Sequence, residues 1–475
     1  MKKTHILLLT LVILLLPSAI SSQPWLQGHY LEFGNMQDFQ KMQKSFDEYW
    51  ENKEMEKGKG WKPFKRWEYF MEQRIYPDGV FPANAMWKEY QKIKSTSTRD
   101  TITAQWELYG PVETPLLITT GGRRGSGRVN TVAFHPTDPN IIYVGTPAGG
   151  FWKSPDNGAS WFTTTDDLLS LGVSDIAVHP HNPDTIYIAT GDGDAMDTYS
   201  IGVLKSIDGG LNWETTGLSF VTSSTIVTRR LLINPDNPDI ILVTTSDGIY
   251  KTEDAGETWT KRVHGNFKDM EFKPGDPNIV YATRFAYSGG ATIYKSTNAG
   301  TTFTMLLSTG ITPSQVERIE LAVTPAAPSV VYALCSKSDD SGLFGVYKSE
   351  DEASTWTKVL DGADKNLLGW STDGSDAGGQ GWFDLSLAVS PVNPNLIHTG
   401  GVNVWRSSNG GTSWNLSGHW YGGGGVDYIH ADHHFFVYNP HNGYLYSGND
   451  GGIYYTPNAG TNWVDISDGL EILQI

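Results

Sequence analysis

The chain has 475 residues, of which 39% are hydrophobic and 18% charged, enough apolar material for a large core and too much for a disordered chain. A formal net charge of −17 excludes nucleic acid as the main partner, because phosphate binding needs clustered Lys and Arg. The 52 Gly, 17 Trp and 22 Tyr fit an all-β protein with many tight turns and large side chains packed between sheets.

Lys2 and Lys3 precede an apolar run over residues 6–16, then Pro17 and the small-residue stretch around Ala19 and Ser21. This pattern reads as a secretory signal peptide over residues 1–22, too short to span a bilayer, with the mature chain starting near Ser22 or Gln23. A secreted protein follows, extracellular or cell-surface with the periplasm as the other compartment, without an integral membrane segment in the mature chain. Losing both lysines takes the charge from −17 to −19.

Residues 23–110 read as a helical N-terminal segment. Met36, Phe39, Met42, Phe46, Tyr49 and Trp50 fall on one helical face, with Asn35 and Asp38 resembling a cap. Further helices are expected over residues 64–74 and 84–93. The segment reads as a brace; the competing reading is a basic, aromatic binding patch of Lys53, Lys57, Lys59, Lys62, Lys65 and Arg66.

Over residues 111–475 one pattern recurs seven times, with a Ser or Thr two residues before, and usually a Gly two residues after, each of Asp156, Asp208, Asp254, Asn298, Asp351, Asn409 and Asn458. An aromatic closes each copy: Trp161, Trp213, Trp259, Phe303, Trp356, Trp414 and Trp463. The acid or amide can accept backbone N–H bonds, the glycine can take positive φ, and the aromatic can lock the turn onto its sheet. A proline turn precedes each copy, as at His135-Pro136, His179-Pro180, Asn234-Pro235, Lys273-Pro274, Thr324-Pro325, Ser390-Pro391 and Asn439-Pro440. Strands before and after the two turns make four per unit, so the fold is expected to be a multi-bladed β-propeller of about seven four-stranded blades. Residues 469–475 read as the opening strand of another blade, which predicts a larger propeller. The single cysteine, Cys335, sits in an apolar run and is expected as a buried strand residue, with no disulfide framework.

The repeated turn resembles that of the Asp-box (BNR) superfamily, and in particular the sortilin N-terminal-like propellers of large secreted bacterial proteins, related in fold to xyloglucanase-type glycoside hydrolases and sialidases. The resemblance covers residues 121–475. It implies a propeller and a secreted setting, whereas the turn itself is a fold marker and not an active site. In xyloglucanase-type enzymes it implies a catalytic Asp in a first-blade loop of Asp-Val-Gly-Gly type, where this chain has Pro147-Ala148-Gly149-Gly150. Arg128, Arg229, Arg230 and Arg318 enter first strands, without the Arg-Ile-Pro motif or Tyr/Glu pair that sialidases add.

If each unit's first strand is innermost, the loops after second and fourth strands share one face, and two long ones cover residues 361–384 and 415–432. There Gln380, Trp382, Asp384, Trp420, Tyr421, His430, Asp432, His434, Asn449 and Asp450 are candidate ligand-binding residues, joined by Trp370. Asp384, Asp427, Asp432 and Asp450 are candidate acids for a glycosidase, which commonly needs two carboxyls. Asp192, Asp194 and Asp197 have the alternating spacing of oxygen ligands for Ca²⁺, the one cofactor the sequence suggests. His430, Asp432, His433 and His434 fit zinc poorly, because adjacent strand residues point to opposite faces. The preferred reading is a binding or adhesion module for an extracellular polysaccharide or protein, and the alternative is a glycoside hydrolase using paired carboxylates on the same face.

Overall fold

The computed structural model describes residues 36–54, 60–75, 84–96, 125–307 and 309–472. The expected signal peptide, the Asn35 cap and Lys57 and Lys59 lie outside the described residues. The chain divides into two compact units, Met1–Tyr90 and Gln91–Ile475. No helix among the described residues is long and apolar enough to cross a membrane.

The first unit is helical, with α1 over Met36–Trp50 and α2 over Trp61–Ile75, while α3, Ala85–Thr96, begins in it and continues past Tyr90. Phe39, Met42 and Phe46 of α1 recur at helical spacing and are buried. The Phe46 ring stacks on Phe64 of α2 at 3.8 Å, with Tyr49, Trp50, Trp61 and Trp67 packed around the pair. Lys65 is held by Asp47 and Glu68 at 3.4 and 2.8 Å, and the Lys53 ammonium lies over the Tyr49 ring. These two cations of the expected basic patch are therefore tied into the helical unit.

The second unit contains seven four-stranded antiparallel meanders, each formed from consecutive strands. Blade one comprises β1 (Thr131–Phe134), β2 (Ile142–Thr146), β3 (Gly150–Ser154) and β4 (Phe162–Thr163). Blade two runs from β5 (Val173–Val178) to β8 (Glu214–Ser219), blade three from β9 (Thr228–Ile233) to β12 (Thr260–His264), and blade four from β13 (Phe267–Phe272) to β16 (Thr304–Met305). Blade five runs from β17 (Val316–Val323) to β20 (Thr357–Asp361), blade six from β21 (Ser386–Val389) to β24 (Asn415–Gly418), and blade seven from β25 (His433–Tyr438) to β28 (Val464–Asp465). Each first strand neighbours the first strand of the next blade, and β25 neighbours β1, which makes a seven-bladed propeller with first strands around the axis. Leu470 and Ile472, expected to open a further blade, instead pack with Val129, Ile142 and Trp152 of blade one. Second strands such as β2 are buried along their whole length, which explains their unbroken apolar runs.

The repeated turn joins third to fourth strands. In blade one Ser154 Oγ donates to Asp156 Oδ1 at 2.9 Å, Gly158 N–H donates back to Ser154 Oγ at 2.7 Å, and Ser160 N–H and Oγ donate to the two Asp156 oxygens. The same net recurs around Asp208, Asp254, Asn298, Asp351, Asn409 and Asn458. It requires two successive left-handed residues, such as Ala299 (φ 51) and Gly300 (φ 77). A Cβ on Gly300 would stand 2.6 Å from Leu242 Cδ2 of the preceding blade, so glycine serves both the turn and the close approach. Carbonyls beside the turns are gripped by the preceding blade's third strand: Lys153 reaches Gly209 O, Lys205 reaches Ala255 O, Lys295 reaches Glu352 O and Arg406 reaches Ala459 O. Cys335 is fully buried in the strand Val331–Lys337, and burial pushes its thiol far above the usual range.

Candidate functional site

In a meander whose first strands line the axis, loops entering first strands and loops leaving second strands emerge at the same end. Three of the expected acids meet there. Asp384 lies in the loop entering β21, Asp432 immediately precedes β25, and Asp450 follows β26 (Leu445–Asn449). Asp384 is fully buried and neither carboxyl oxygen meets a hydrogen-bond donor. Burial first, then the charges of Asp432 and Asp450, push its pKa well above the ordinary carboxylate value. Asp432 is raised too, by burial and then by Asp450, against the pull of His434. Asp384 in turn lowers the Asp432 pKa, so the two carboxyls titrate as a linked pair.

Asp432 sits at φ 64, a left-handed backbone that costs a non-glycine residue about 1–2 kcal/mol. Gln380 Nε2 donates to its Oδ1 at 3.0 Å and the Asp450 N–H to its carbonyl at 3.2 Å, which fixes the carboxyl between the two long loops. His434 is enclosed. Its Nε2 bonds Asp450 Oδ1 at 2.9 Å and its Nδ1 bonds Asp194 Oδ2 at 3.0 Å. Burial alone would lower its pKa, but these two carboxylates raise it, which favours the imidazolium donating from both nitrogens.

Asp194, expected as a calcium ligand, is instead a hub for cations. Lys268 Nζ and Arg318 Nη1 approach its Oδ1 at 2.7 and 3.4 Å. Although burial opposes ionisation, Lys268, Arg318 and His434 hold its pKa well below the usual value. Asp192 accepts from Arg128 Nη2 at 2.8 Å and from the N–H groups of Ala195 and Asp197, and Arg128 also reaches Asp197 at 3.2 Å. The calcium assignment is corrected on this ground, since oxygens turned toward guanidinium and ammonium groups are not turned toward one metal. No cluster of His, Cys, Asp or Glu among the described residues has metal-holding geometry, and the zinc alternative meets the same obstacle, with His434 closed by its two carboxylates.

Two further expectations change. Asp427 does not join the acids: its Oδ2 accepts from Asn462 Nδ2 and Trp463 N–H, both at 3.1 Å, so it supports the last repeated turn. Asn449 is fully buried and its Oδ1 accepts the Gly451 N–H, a turn-forming role. His430 packs against Gly125 and Gly451 beside the acids. The aromatics form two groups. Trp382, 37% exposed, lies 6.2 Å from the ring of Tyr287, itself 53% exposed, and adjoins Phe383, whose ring stands edge-on to His434 at 4.7 Å. Trp420 and Tyr421 pack with His419, which bonds the carbonyl of Trp370.

Residues that sequence reasoning named separately meet on the axis, joined by Lys268, which it passed over. A cavity of about 40 Å³ is bounded by Arg229, Lys268, Arg318, Asp194, His434 and their neighbours. Arg230, which lines the same cavity, meets Asp175, Asp269 and Glu271 at 3.3, 3.4 and 2.6 Å. Burial raises all three acids and Glu320, despite the arginine. Lys268 and His434 both lie where pairing between first and second strands slips by one residue. Such bulges re-aim a side chain that strict alternation would send elsewhere.

The architecture and this end of the axis together define a seven-bladed propeller carrying a cluster of three acids, one fully buried, with exposed aromatic rings at the same end. No family model matches the chain. It is similar in sequence to xyloglucanases: 25% identical over 346 residues to one from Paenibacillus sp., covering 62% of this chain and 32% of that protein. Against the Acetivibrio thermocellus enzyme it is 23% identical over 391 residues, covering 67% and 42%, and against the Hypocrea jecorina enzyme 23% over 347 residues, covering 61% and 38%. The chain thus spans well under half the length of these relatives. Among solved structures it superposes on the GH74 enzyme of Niastella koreensis with a TM-score of 0.54 at 21% identity, covering 73% of this chain and 55% of that one. An ancestral GH74 enzyme gives 0.54 at 18%, covering 75% and 48%.

Proposed function

We propose that this chain acts on extracellular polysaccharide as a glycoside hydrolase, with its acids on blades six and seven. The observation that carries the reading is the coupling of Asp384, Asp432 and Asp450 on the loop face. Asp432, with its pKa raised, is suited to donate a proton to a glycosidic oxygen. Asp450, 29% exposed and anchored by His434, is the second carboxylate. Asp384, enclosed behind them, is a positioning residue that keeps a proton available to Asp432. Trp382 and Tyr287 offer exposed ring faces for sugar stacking. Likeness to xyloglucanases in sequence and to GH74 enzymes in fold supports this assignment over the binding-module preference reached from sequence. The repeated turns and amino-terminal pattern also support grouping it with secreted Asp-box propellers, sortilin-like ones included.

One observation favours a second reading, a non-catalytic glycan-binding module. Pro147 occupies the first-blade loop in which the family resemblance implies a catalytic Asp, and its carbonyl accepts from Thr198 Oγ1 at 2.8 Å. The test is release of reducing ends from xyloglucan and other polysaccharides by the secreted protein. Release by the native chain, abolished in Asp432→Asn and Asp450→Asn, supports hydrolysis. Binding of the same polymers without release establishes the module.

A further inference from the structure

Arg229, Arg230, Lys268, Arg318 and His434 line the axial cavity, against Asp194 and Glu320 as its acids. Lys268 and Arg318 converge on one oxygen of Asp194. Arg318 also meets Glu320 at 3.4 Å, an acid that burial favours in its uncharged form. Arg229 is 7% exposed and makes no ion pair among the described residues. Its Nε donates to Gly193 O, and its Nη1 to Asn266 Oδ1 and Phe267 O. Its Nη2 meets no protein acceptor among the described residues. The guanidinium of Arg229 and the ammonium of Lys268 both lie against the ring of Phe285, at 5.9 and 5.3 Å from its centroid. Backbone carbonyls hold both cations near this ring, those of Gly193 and Phe267 for Arg229 and that of Trp382 for Lys268. Burial and the neighbouring Arg318 and Arg229 lower the Lys268 pKa to about 7 despite Asp194, so an anion entering beside it would favour its charged form.

From this geometry we propose that the axial cavity binds a carboxylate, held by Arg229 and Lys268 with Arg318 behind them. This rests on the polysaccharide reading and narrows it to polymers or oligosaccharides that carry acidic sugars. Size sets the limit on what enters. A volume of about 40 Å³ is roughly three times what one water needs, room for the three heavy atoms of a carboxylate and not for a pyranose ring. The sugar would therefore remain on the loop face and insert only its acid group. His434, which forms part of the cavity wall, bonds Asp450 with its other nitrogen, so an inserted carboxylate lies one side chain from the proposed acids.

The experiment is titration calorimetry of the full chain with glucuronate, acetate and glucose as separate probes, repeated on Arg229→Gln and Lys268→Met. Glucuronate is expected to bind and glucose not to, with each substitution weakening glucuronate on the order of 10- to 100-fold, the value of a charge-assisted hydrogen bond. Acetate binding as tightly as glucuronate, and lost in the same variants, also supports the carboxylate site and assigns it to a small free acid. Equal affinity for glucose and glucuronate, or glucuronate binding unchanged in both variants, overturns it. Unchanged thermal unfolding checks that each variant folds; if Lys268→Met does not fold, Lys268→Arg, which keeps the charge, must retain binding. The outcome is separable from that of the hydrolase reading, because glucuronate binding that survives Asp432→Asn while no polymer is cleaved by the native chain leaves the site standing and removes the hydrolase.

Discussion

Replacing Asp384 by Asn should stabilise the protein at neutral pH while removing hydrolysis, because the position is built at the expense of the fold. Its pKa is raised above the ordinary 3.8 by burial, Asp432 and Asp450. The folded state therefore binds more protons than the unfolded state above pH 3.8. Stability falls as pH rises from there to the raised folded value, and stays reduced beyond it. The side chain has no donor for either oxygen, and a buried polar group left unpaired costs about 1–3 kcal/mol, more when charged. The carboxamide carries no charge and donates to Asp432, so about 1–3 kcal/mol should be regained at pH 7 and none near pH 3.5. With about 2.1 cal/mol/K of unfolding entropy per residue over roughly 350 propeller residues, this corresponds to about 1–4 °C in Tm. Differential scanning calorimetry of both proteins at the two pH values measures it. A variant destabilised equally at both would refute the reasoning, since it would mean that packing, and not charge, governs the site.

Gly300→Ala should cost about 2–5 kcal/mol in urea unfolding, the sum of a left-handed alanine and the overlap with Leu242. Ala353, at the equivalent place in blade five with φ 66, should respond oppositely, and Ala353→Gly should gain about 1 kcal/mol in the same assay. Arg230→Met should destabilise by about 3–5 kcal/mol at pH 8 by leaving Asp175, Asp269 and Glu271 unpaired. That loss should shrink toward pH 5 as those acids take up protons, which a pH series of melting curves would register. His434→Gln should remove a stabilisation that is fully present below about pH 6.5 and lost as pH rises through the raised folded value of the histidine. The difference in Tm from the native protein should therefore narrow on going alkaline.

The blades were legible in the sequence because each carries its own punctuation. His135 Nδ1 accepts the Thr137 and Asp138 N–H groups after the first strand, and Asn234 and Asn439 do the same in their blades. The Asp156-type net closes the turn between third and fourth strands. These are local bonds among residues a few positions apart, which spacing alone reveals. The acids were partly legible, since long loops entering first strands marked Asp384 and Asp432, and the loop between second and third strands on the same face marked Asp450. Asp427 lies on the same long loop, but its carboxylate bonds the turn at Trp463, a choice set by three-dimensional proximity. The cationic axis was hidden for a different reason. Period-two reasoning assumes unbroken pairing, and bulges at Lys268 and His434 break it. The Asp192 to Asp197 spacing misled because the cations that satisfy it come from Arg128, Lys268 and Arg318 on three other blades.

The seam between blades seven and one carries a consequence for how the protein reaches this state. Trp161 Nε1 donates to Ile466 O across 305 positions of sequence, and His441 meets His135 O across 306. Bringing together ends so far apart costs about 5 kcal/mol of chain entropy, recovered only after blades two to six have organised between them. A nascent chain emerging at about 5–20 residues per second would hold blade one's open flank for some tens of seconds before its neighbour arrives. During that interval Val129, Ile142 and Trp152, destined for the apolar cluster with Leu470 and Ile472, have no native cover on that side. Closure of the ring is therefore the slow event of folding, and the exposed first blade is where a chaperone or an aggregating neighbour would act.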